Sequence, residues 1–480
     1  MIYRLAFLTV LVVLVSCSRA FDPEIRTGSH LFLADGPQVL LSAISYMDDD
    51  QNPVVDIDLE ILYGSLIYHE SNGEFTAAVT VETEFFEVLD SSDGELRRVH
   101  VMEEELEVSN RNRNITESRE FLSYNERVAL SPGSYRVMVR TTDQSSGQTT
   151  TRQANVTVFD PQSDQPNLTH IKIFGEHELN GSVVTADYPL TTYSIPGRID
   201  TLKFEYQVTR PPDGPALKVE MNLVQFESDL NVPRSMSENT PSRGSIPHRG
   251  INYNRREVIE SQERILEQET GTITVEYKTV RPPRGNYRFE VMLSELRNGE
   301  ATPIEYKARD FSSMSDNFPN VVSAREFAEP LVYLMRGSRY REMMNIQHPD
   351  SLKREVDRFW LSNLNNENLA LRVLEEYYGR VEEANKQFSN FKEGWMTDMG
   401  MMYVLFGPPW YVERSLDTII WIYSYDRSDP RRVFFFQRTR IDSDIHPFEH
   451  YILQRNVQYH SVEYEQVQRW LSGSILTRPI

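Results

Sequence analysis

Residues 132–139 read PGSYRVMV, and residues 283–291 read PRGNYRFEV. The pattern Gly-x-Tyr-Arg occurs in both segments, so that Tyr135 and Tyr287 lie 152 positions apart. A glycine-bearing turn before a late strand with an early tyrosine is typical of Ig-like sandwiches, in which the hydroxyl ties the turn to the backbone. We therefore predict a duplicated β domain, with Tyr135 and Tyr287 at equivalent positions.

Other segments around these two elements have strand patterns. Residues 56–61 read DIDLEI, and this alternation of polar and apolar residues predicts a half-buried strand. Residues 160–166, DPQSDQP, have the composition of a linker. We predict two tandem Ig-like β-sandwiches over residues 17–160 and 167–310. The polar stretch near 228–268 predicts a mobile insertion in the second sandwich, with a partner-binding loop as the alternative.

The last third of the chain changes character after a second predicted linker at residues 310–317. Ser323 and Glu326 have the spacing of a capping box, and apolar residues recur at helical spacing over 352–364 and 374–388. Strand patterns return at residues 401–406, 418–425, 432–437 and 449–455. All five tryptophans lie in this part: Trp360, Trp395, Trp410, Trp421 and Trp470. We predict an α+β domain over 320–480, with helices first and then an antiparallel sheet.

The amino terminus has the pattern of an export signal. One basic residue, Arg4, precedes an apolar run over residues 5–15, which is too short to span a bilayer but is typical of a signal-peptide core. The run ends in LVSC and resembles a bacterial lipobox, which predicts a signal peptide over 1–16 and lipidation of Cys17, the only cysteine. Two or more acyl chains would anchor the chain to a membrane. Ser18 resembles the usual outer-membrane sorting pattern, so we expect a protein of the cell envelope that is lipid-anchored in the outer membrane.

The charge balance limits the choice of partners. The net charge is −21, and no basic patch is interleaved with aromatic residues. Nucleic acid is therefore not an expected partner.

Residues 394–400 read GWMTDMG, and residues 401–409 read MMYVLFGPP. These segments closely resemble the signature of the GWxTD domain proteins, in which Gly-Trp-x-Thr-Asp precedes a strand and a Gly-Pro-Pro turn. The resemblance implies an exported bacterial protein with β-rich regions ahead of the domain, and it implies no activity. The chain departs from the family at Met399, Met401 and Trp410, where arginine, arginine and aspartate are usual.

The signature residues have a structural interpretation as a junction between a helix and a strand. Glycines permit positive φ, threonine and aspartate can bond nearby amides, tryptophan can bury a large area, and prolines end a strand. The residues concerned are Gly394, Trp395, Thr397, Asp398, Gly400, Gly407, Pro408 and Pro409. A direct binding role for Trp395 or Asp398 is the alternative.

Two other groups are weaker candidates for a site. Trp421, Tyr423 and Tyr425 alternate, and they would form either a buried sheet face or an exposed platform for a sugar or peptide. The second group is Asp444, His446, Glu449 and His450, which could bind a divalent ion. Because a proline interrupts this second group, we interpret it as a solvated loop and predict no metal and no cofactor.

No phosphate loop, nucleophile elbow, dinucleotide fingerprint or zinc-protease helix occurs in the sequence. We therefore predict a non-catalytic, envelope-anchored binding or assembly module whose partners are other envelope proteins or surface glycan. The alternatives are a hydrolase or metal-dependent enzyme that uses the cluster around His446, and a structural component of a secretion or surface assembly.

Overall fold

The computed structural model describes residues 20–21, 36–48, 50–89, 96–117, 121–160, 163–179, 182–190, 193–238, 250–267, 271–335, 337–415, 417–424, 432–439 and 450–477. The predicted signal peptide and Cys17 lie outside these residues. Within the described ranges, no helix combines the length and the hydropathy that a membrane span requires. The chain is mainly β in its first two thirds and α+β in its last third, as the sequence predicted.

The first β region (residues 36–160) consists of two antiparallel sheets that share one core. Its strands, together with a short preceding strand, are β1 (Ala20–Phe21), β2 (Val39–Met47), β3 (Pro53–Leu62), β4 (His69–Ser71), β5 (Glu74–Val88), β6 (Leu96–Asn110), β7 (Phe121–Ala129), β8 (Gly133–Asp143) and β9 (Thr149–Val158). One sheet has the order β2-β3-β7, and the other has the order β6-β5-β8-β9, with β4 on β5. Val55, Val79 and Val137 come from both sheets and are fully buried in one cluster.

The second β region (residues 163–313) repeats this strand order. Its strands are β10 (Asn167–Leu168), β11 (Lys172–Leu179), β12 (Ser182–Pro189), β13 (Ser194–Ile195), β14 (Thr201–Arg210), β15 (Ala216–Ser228), β16 (Ile251–Leu266), β17 (Gly271–Val280), β18 (Gly285–Arg297) and β19 (Glu300–Ser313). One sheet contains β11-β14-β17, and the other contains β16-β15-β18-β19. Strands β10, β12 and β13 are additional to this repeated order, and the short strand β1 pairs with β19.

The two repeated tyrosines have the same environment. Each is the third residue of its strand, β8 or β18, and each strand lies between equivalent neighbours, β5 and β9 or β15 and β19. The hydroxyl of Tyr135 donates to the carbonyl of Ser131 at 2.7 Å, and that of Tyr287 donates to the carbonyl of Pro283 at 2.7 Å. The tyrosine therefore fixes the same turn in both regions, in agreement with the equivalence that the sequence predicted.

Two predicted boundaries in the second β region are wrong. Residues 251–266, within the predicted insertion at 228–268, form strand β16, which pairs with β15. Twelve of its 16 side chains are exposed, so β16 lacks the alternation that identifies a half-buried strand. The predicted linker at 310–317 also begins too early, because Phe311 belongs to β19 and is fully buried.

The α+β region (residues 321–477) packs helices against one face of a four-stranded sheet. Its elements are α1 (Ala324–Ala328), α2 (Gly337–Met344), α3 (Pro349–Leu364), α4 (Glu367–Phe388), α5 (Asp398–Phe406), β20 (Tyr411–Arg414), β21 (Thr418–Ile422), β22 (Val433–Arg438), β23 (Tyr451–Leu453) and α6 (Tyr459–Ser472). The sheet is antiparallel throughout, in the order β20-β21-β22-β23. The predicted capping box is confirmed, since the side chains of Ser323 and Glu326 each bond the other's backbone amide.

The prediction of a strand at residues 401–406 is also wrong, because the segment is helical. These residues form most of helix α5, and every residue of that segment is buried. A segment that is apolar on all sides has neither a strand period nor a helix period. Its type therefore depends on its surroundings, and here the helix satisfies its own backbone groups in the interior.

Candidate functional site

The signature begins with a short 3-10 turn at Gly394–Met396 that lies against helix α4. A Cβ on Gly394 would lie 1.8 Å from the carbonyl oxygen of Ala384, and one on Gly400 would lie 1.8 Å from that of Gly394. Neither glycine is among the residues with positive φ. Their expected role in φ is therefore wrong, and both are required because backbone approaches backbone too closely for a side chain.

Thr397 and Trp395 fix this turn against the rest of the domain. The hydroxyl of Thr397 donates to the carbonyl of Gly394 at 2.7 Å and accepts from the amide of Gly400 at 3.0 Å, so Thr397 is the N-cap of α5. Trp395 is 3% exposed, and its indole N–H donates to the carboxylate of Glu393 at 2.8 Å. The hydroxyl of Tyr333 donates to the carbonyl of Trp395 at 2.6 Å. The polar atoms of this turn are thus occupied by neighbours within the chain.

Asp398 forms a buried ion pair that the sequence did not reveal. Its two carboxylate oxygens accept from the two terminal nitrogens of Arg455, each at 2.8 Å, and one also accepts from the amide of Leu453 at 2.7 Å. The side chains of Arg455 and Asp398 are 3% and 7% exposed. Burial opposes the charged form, but the guanidinium charge and the hydrogen bonds outweigh it and hold the pKa of Asp398 below its usual range. The signature aspartate therefore joins the start of α5 to the end of β23.

The end of α5 is fixed by Gly407, the first residue of the Gly-Pro-Pro segment. Its φ of +79° is a conformation that favours glycine, and its carbonyl accepts from the hydroxyl of Tyr423 at 2.7 Å. Pro408 and Pro409 follow the helix and do not end a strand, contrary to the prediction.

The aromatic residues in and just after β21 form part of the interior. Trp421 and Tyr423 are both fully buried, and the rings of Trp421 and Phe388 on α4 have centroids 5.6 Å apart. An exposed platform for a sugar or peptide at these two positions is therefore excluded. Tyr425 lies outside the described residues.

The candidate metal group is described at His450 alone, because Asp444, His446 and Glu449 lie outside the described residues. His450 is 4% exposed, its Nδ1 lies 3.0 Å from the side-chain nitrogen of Asn390, and its ring packs edge-on against Phe391. In the described ranges, no three His, Cys, Asp or Glu side chains are placed to hold a metal ion.

The segment ahead of the signature contacts the second β region directly. Glu393 accepts from the guanidinium of Arg284 at 3.0 Å and from the amide of Ser315 at 2.9 Å. Phe391 is fully buried in a small cluster whose other members come from the second β region, and its carbonyl accepts from Asn286 at 2.8 Å. The signature therefore lies at the junction of the two regions.

Sequence reasoning missed Arg455, Glu393, Phe391 and Arg284 because they have no local pattern. Arg455 and Asp398 are 57 positions apart, and Arg284 lies in another region of the chain. Their pairing depends on how the elements pack.

The similarity of this chain to solved structures is weak. Red sea bream transglutaminase is 9% identical, with a TM-score of 0.19, over 58% of this chain and 31% of its own. The C-terminal domain of the Streptococcus pyogenes antigen I/II-family protein AspA is 10% identical, with a TM-score of 0.17, over 58% of this chain and 99% of its own. The chain thus spans about a third of the transglutaminase. No curated protein matches it.

The family comparison is specific to the region just described. The model of the GWxTD domain matches residues 300–472. The match begins with β19, the last strand of the second β region, and ends with α6. The matched unit therefore includes the junction between the second β region and the helices. Residues 300–472 therefore form a GWxTD domain.

Proposed function

We propose that the protein is a non-catalytic, lipid-anchored envelope protein that acts as a binding or assembly module. In this role the two β regions are spacers or docking surfaces, and the α+β region makes the specific contact. The partners are other envelope proteins or a surface glycan.

The observation that carries this proposal is the use of the signature's polar groups. Both carboxylate oxygens of Asp398 accept from Arg455, and Thr397 both donates to and accepts from the backbone. The carboxylate of Glu393 accepts from Trp395, Ser315 and Arg284. General acids, bases and nucleophiles must reach a substrate atom. Because these groups already have hydrogen-bond partners within the chain, they favour a structural role for the signature. In that role the signature holds the α+β region against the second β region.

The contact between the two β regions supports a spacer. Tyr46 donates to Glu205 at 2.8 Å, and the side chain of Gln207 exchanges hydrogen bonds with the backbone of Met47 at 2.7 and 2.9 Å. Lys172 and Asp56 form a mostly buried ion pair across the same interface. Directional polar contacts of this kind fix the angle between two domains.

The anchor is tested by metabolic labelling with a fatty-acid analogue. We expect label on the wild-type chain and none on Cys17→Ser, because the proposal places the acyl chains on that thiol. Equal labelling of both chains would remove the anchor from the proposal.

The binding function is tested by crosslinking in the native envelope, followed by affinity capture of the tagged, lipidated chain. We expect one or a few envelope components to be captured reproducibly, and to be lost from Cys17→Ser because the chain no longer reaches the membrane. The metal content of the purified chain distinguishes the proposed function from the alternative of a metal-dependent enzyme. Stoichiometric zinc that is lost from His446→Ala would favour the metal-dependent enzyme and contradict the proposal.

A further inference from the structure

The connection between β15 and β16 is much longer than its counterpart in the first β region. Residues 229–250 join these strands, whereas residues 89–95 join β5 and β6. The start of the longer connection, residues 231–236, lies on the α+β region, and we name it the arm. The arm forms no helix or strand.

The α+β region holds the arm mainly by hydrogen bonds to the backbone of the arm. Arg455 donates to the carbonyls of Arg234 at 3.1 Å and Ser235 at 3.2 Å. The amide of Asn456 donates to the carbonyl of Met236 at 3.2 Å. Together with two bonds to Asp398 and one to Leu453, the contacts of Arg455 use all five of its N–H groups.

Glu463 on α6 completes the polar contacts at the end of the arm. One of its oxygens accepts from the hydroxyl of Ser235 at 2.6 Å, and the other accepts from the amide of Met236 at 3.2 Å. At the start of the arm, the ammonium of Lys392 donates to the carbonyl of Asn231 at 2.7 Å. Apart from the hydroxyl of Ser235, the contacted atoms of the arm are backbone groups that nearly every peptide has.

One side chain of the arm is an anchor. Met236 is fully buried in the hydrophobic core of the α+β region, and the other described members of that buried cluster all come from residue 321 onward. Val232 packs against the same cluster and is half-buried. An unbranched, adaptable side chain suits an irregular apolar pocket of this kind.

Backbone hydrogen bonds and a pocket for one side chain are the recurrent means of binding an extended peptide. We infer that the surface formed by Arg455, Asn456, Glu463 and the pocket under Met236 is a peptide-binding site, occupied in the resting chain by the arm. Its ligand is an extended segment of a partner protein with an unbranched apolar anchor and a small hydroxyl residue before it. The inference rests on the proposed binding function and names the chemical class of partner that this site takes.

The arm, which belongs to the same chain as the site, controls access to it. A short tether holds the arm at an effective concentration on the order of millimolar, so a free peptide competes poorly with it. The signature aspartate takes part indirectly, because it holds the guanidinium of Arg455 in the plane that reaches both arm carbonyls.

The test uses the mature full-length chain and a fluorescein-labelled synthetic peptide of residues 229–238, DLNVPRSMSE. Met236→Asp in the chain places a charge in the apolar pocket and releases the arm. We expect the labelled peptide to bind the Met236→Asp chain about 100-fold more tightly than the wild-type chain, measured by fluorescence anisotropy. A Met236→Asp peptide should not bind. A Glu238→Gln peptide should bind within about twofold of the original, because the ion pair between Glu238 and Arg234 is exposed to solvent and contributes little.

One further variant keeps the result interpretable. Glu463→Gln, combined with Met236→Asp in the chain, should weaken peptide binding at least about threefold while the melting temperature stays unchanged. A folded Met236→Asp chain that does not bind the peptide would overturn the inference. So would a wild-type dimer that Met236→Asp converts to a monomer, because the arm would then occupy a second copy. A peptide that binds while envelope crosslinking captures no partner would support the site and contradict the proposed function.

Discussion

Replacing Asp398 by asparagine keeps the shape of the side chain but leaves the charge of Arg455 buried and uncompensated. The pair is nearly fully enclosed, with side chains 3% and 7% exposed. Removing one partner of a buried ion pair typically costs about 3–5 kcal/mol, whereas an exposed pair is worth about 0–1 kcal/mol. We therefore expect Asp398→Asn to lower the free energy of unfolding of the α+β region by about 3–5 kcal/mol.

Tryptophan fluorescence in urea measures this loss selectively, because all five tryptophans lie between residues 360 and 470. With a slope of about 2 kcal/mol per molar urea, the midpoint should fall by about 1.5–2.5 M. The matched control is Asp357→Asn, which breaks the exposed pair with Lys353 on α3. The control should change the unfolding free energy by less than about 0.5 kcal/mol.

A double-mutant cycle with Arg455→Met decides whether the two side chains act as a pair. We expect a coupling energy of about 1–3 kcal/mol, because the second change removes the charge that the first one strands. Losses that simply add, or a loss in Asp398→Asn no larger than in Asp357→Asn, would refute the reasoning.

The pH dependence has a definite sign. Because the pKa of Asp398 is lowered in the folded state, its contribution to stability is fully present above the unfolded pKa of about 4. It is lost as the pH falls through the folded pKa. The wild type should therefore lose stability below about pH 4 by more than Asp398→Asn does, measured by urea midpoints at each pH.

Three further variants test the packing around the signature. Gly394→Ala should prevent folding of the α+β region, since its Cβ would lie 1.8 Å from the carbonyl oxygen of Ala384. The control Gly379→Ala on α4 meets open space and should be neutral or stabilising by about 0.5–1 kcal/mol. Circular dichroism compares the folding of the two variants. Trp395→Ala should cost about 3–5 kcal/mol by thermal melting, and a normal melt with loss of partner binding alone would make Trp395 a recognition residue. Tyr287→Phe removes one hydrogen bond and should cost about 0.5–1.5 kcal/mol in urea, so an unchanged midpoint would contradict its role in the turn.

Much of the fold follows from local patterns. The apolar residues at helical spacing predict α3 and α4, and the capping box at Ser323 predicts the start of α1, because a helix repeats its faces every 3.6 residues. The recurring Gly-x-Tyr-Arg element predicts the repeated topology, since the tyrosine bonds a carbonyl four residues away in the chain. These contacts join residues that are close together in the chain, so they can be predicted from the sequence alone.

The tertiary structure decided what depends on distant partners. Residues 401–406 have no period, and they are a helix because the surrounding core encloses them on all sides. Gly394 and Gly400 are required by the approach of one backbone segment to another, which no local pattern records. Asp398 meets Arg455 across 57 positions, and Arg455 meets the arm across more than 200. Such pairs form because packing removes water from both groups and leaves each as the other's best available partner, and that choice is made only when the elements come together.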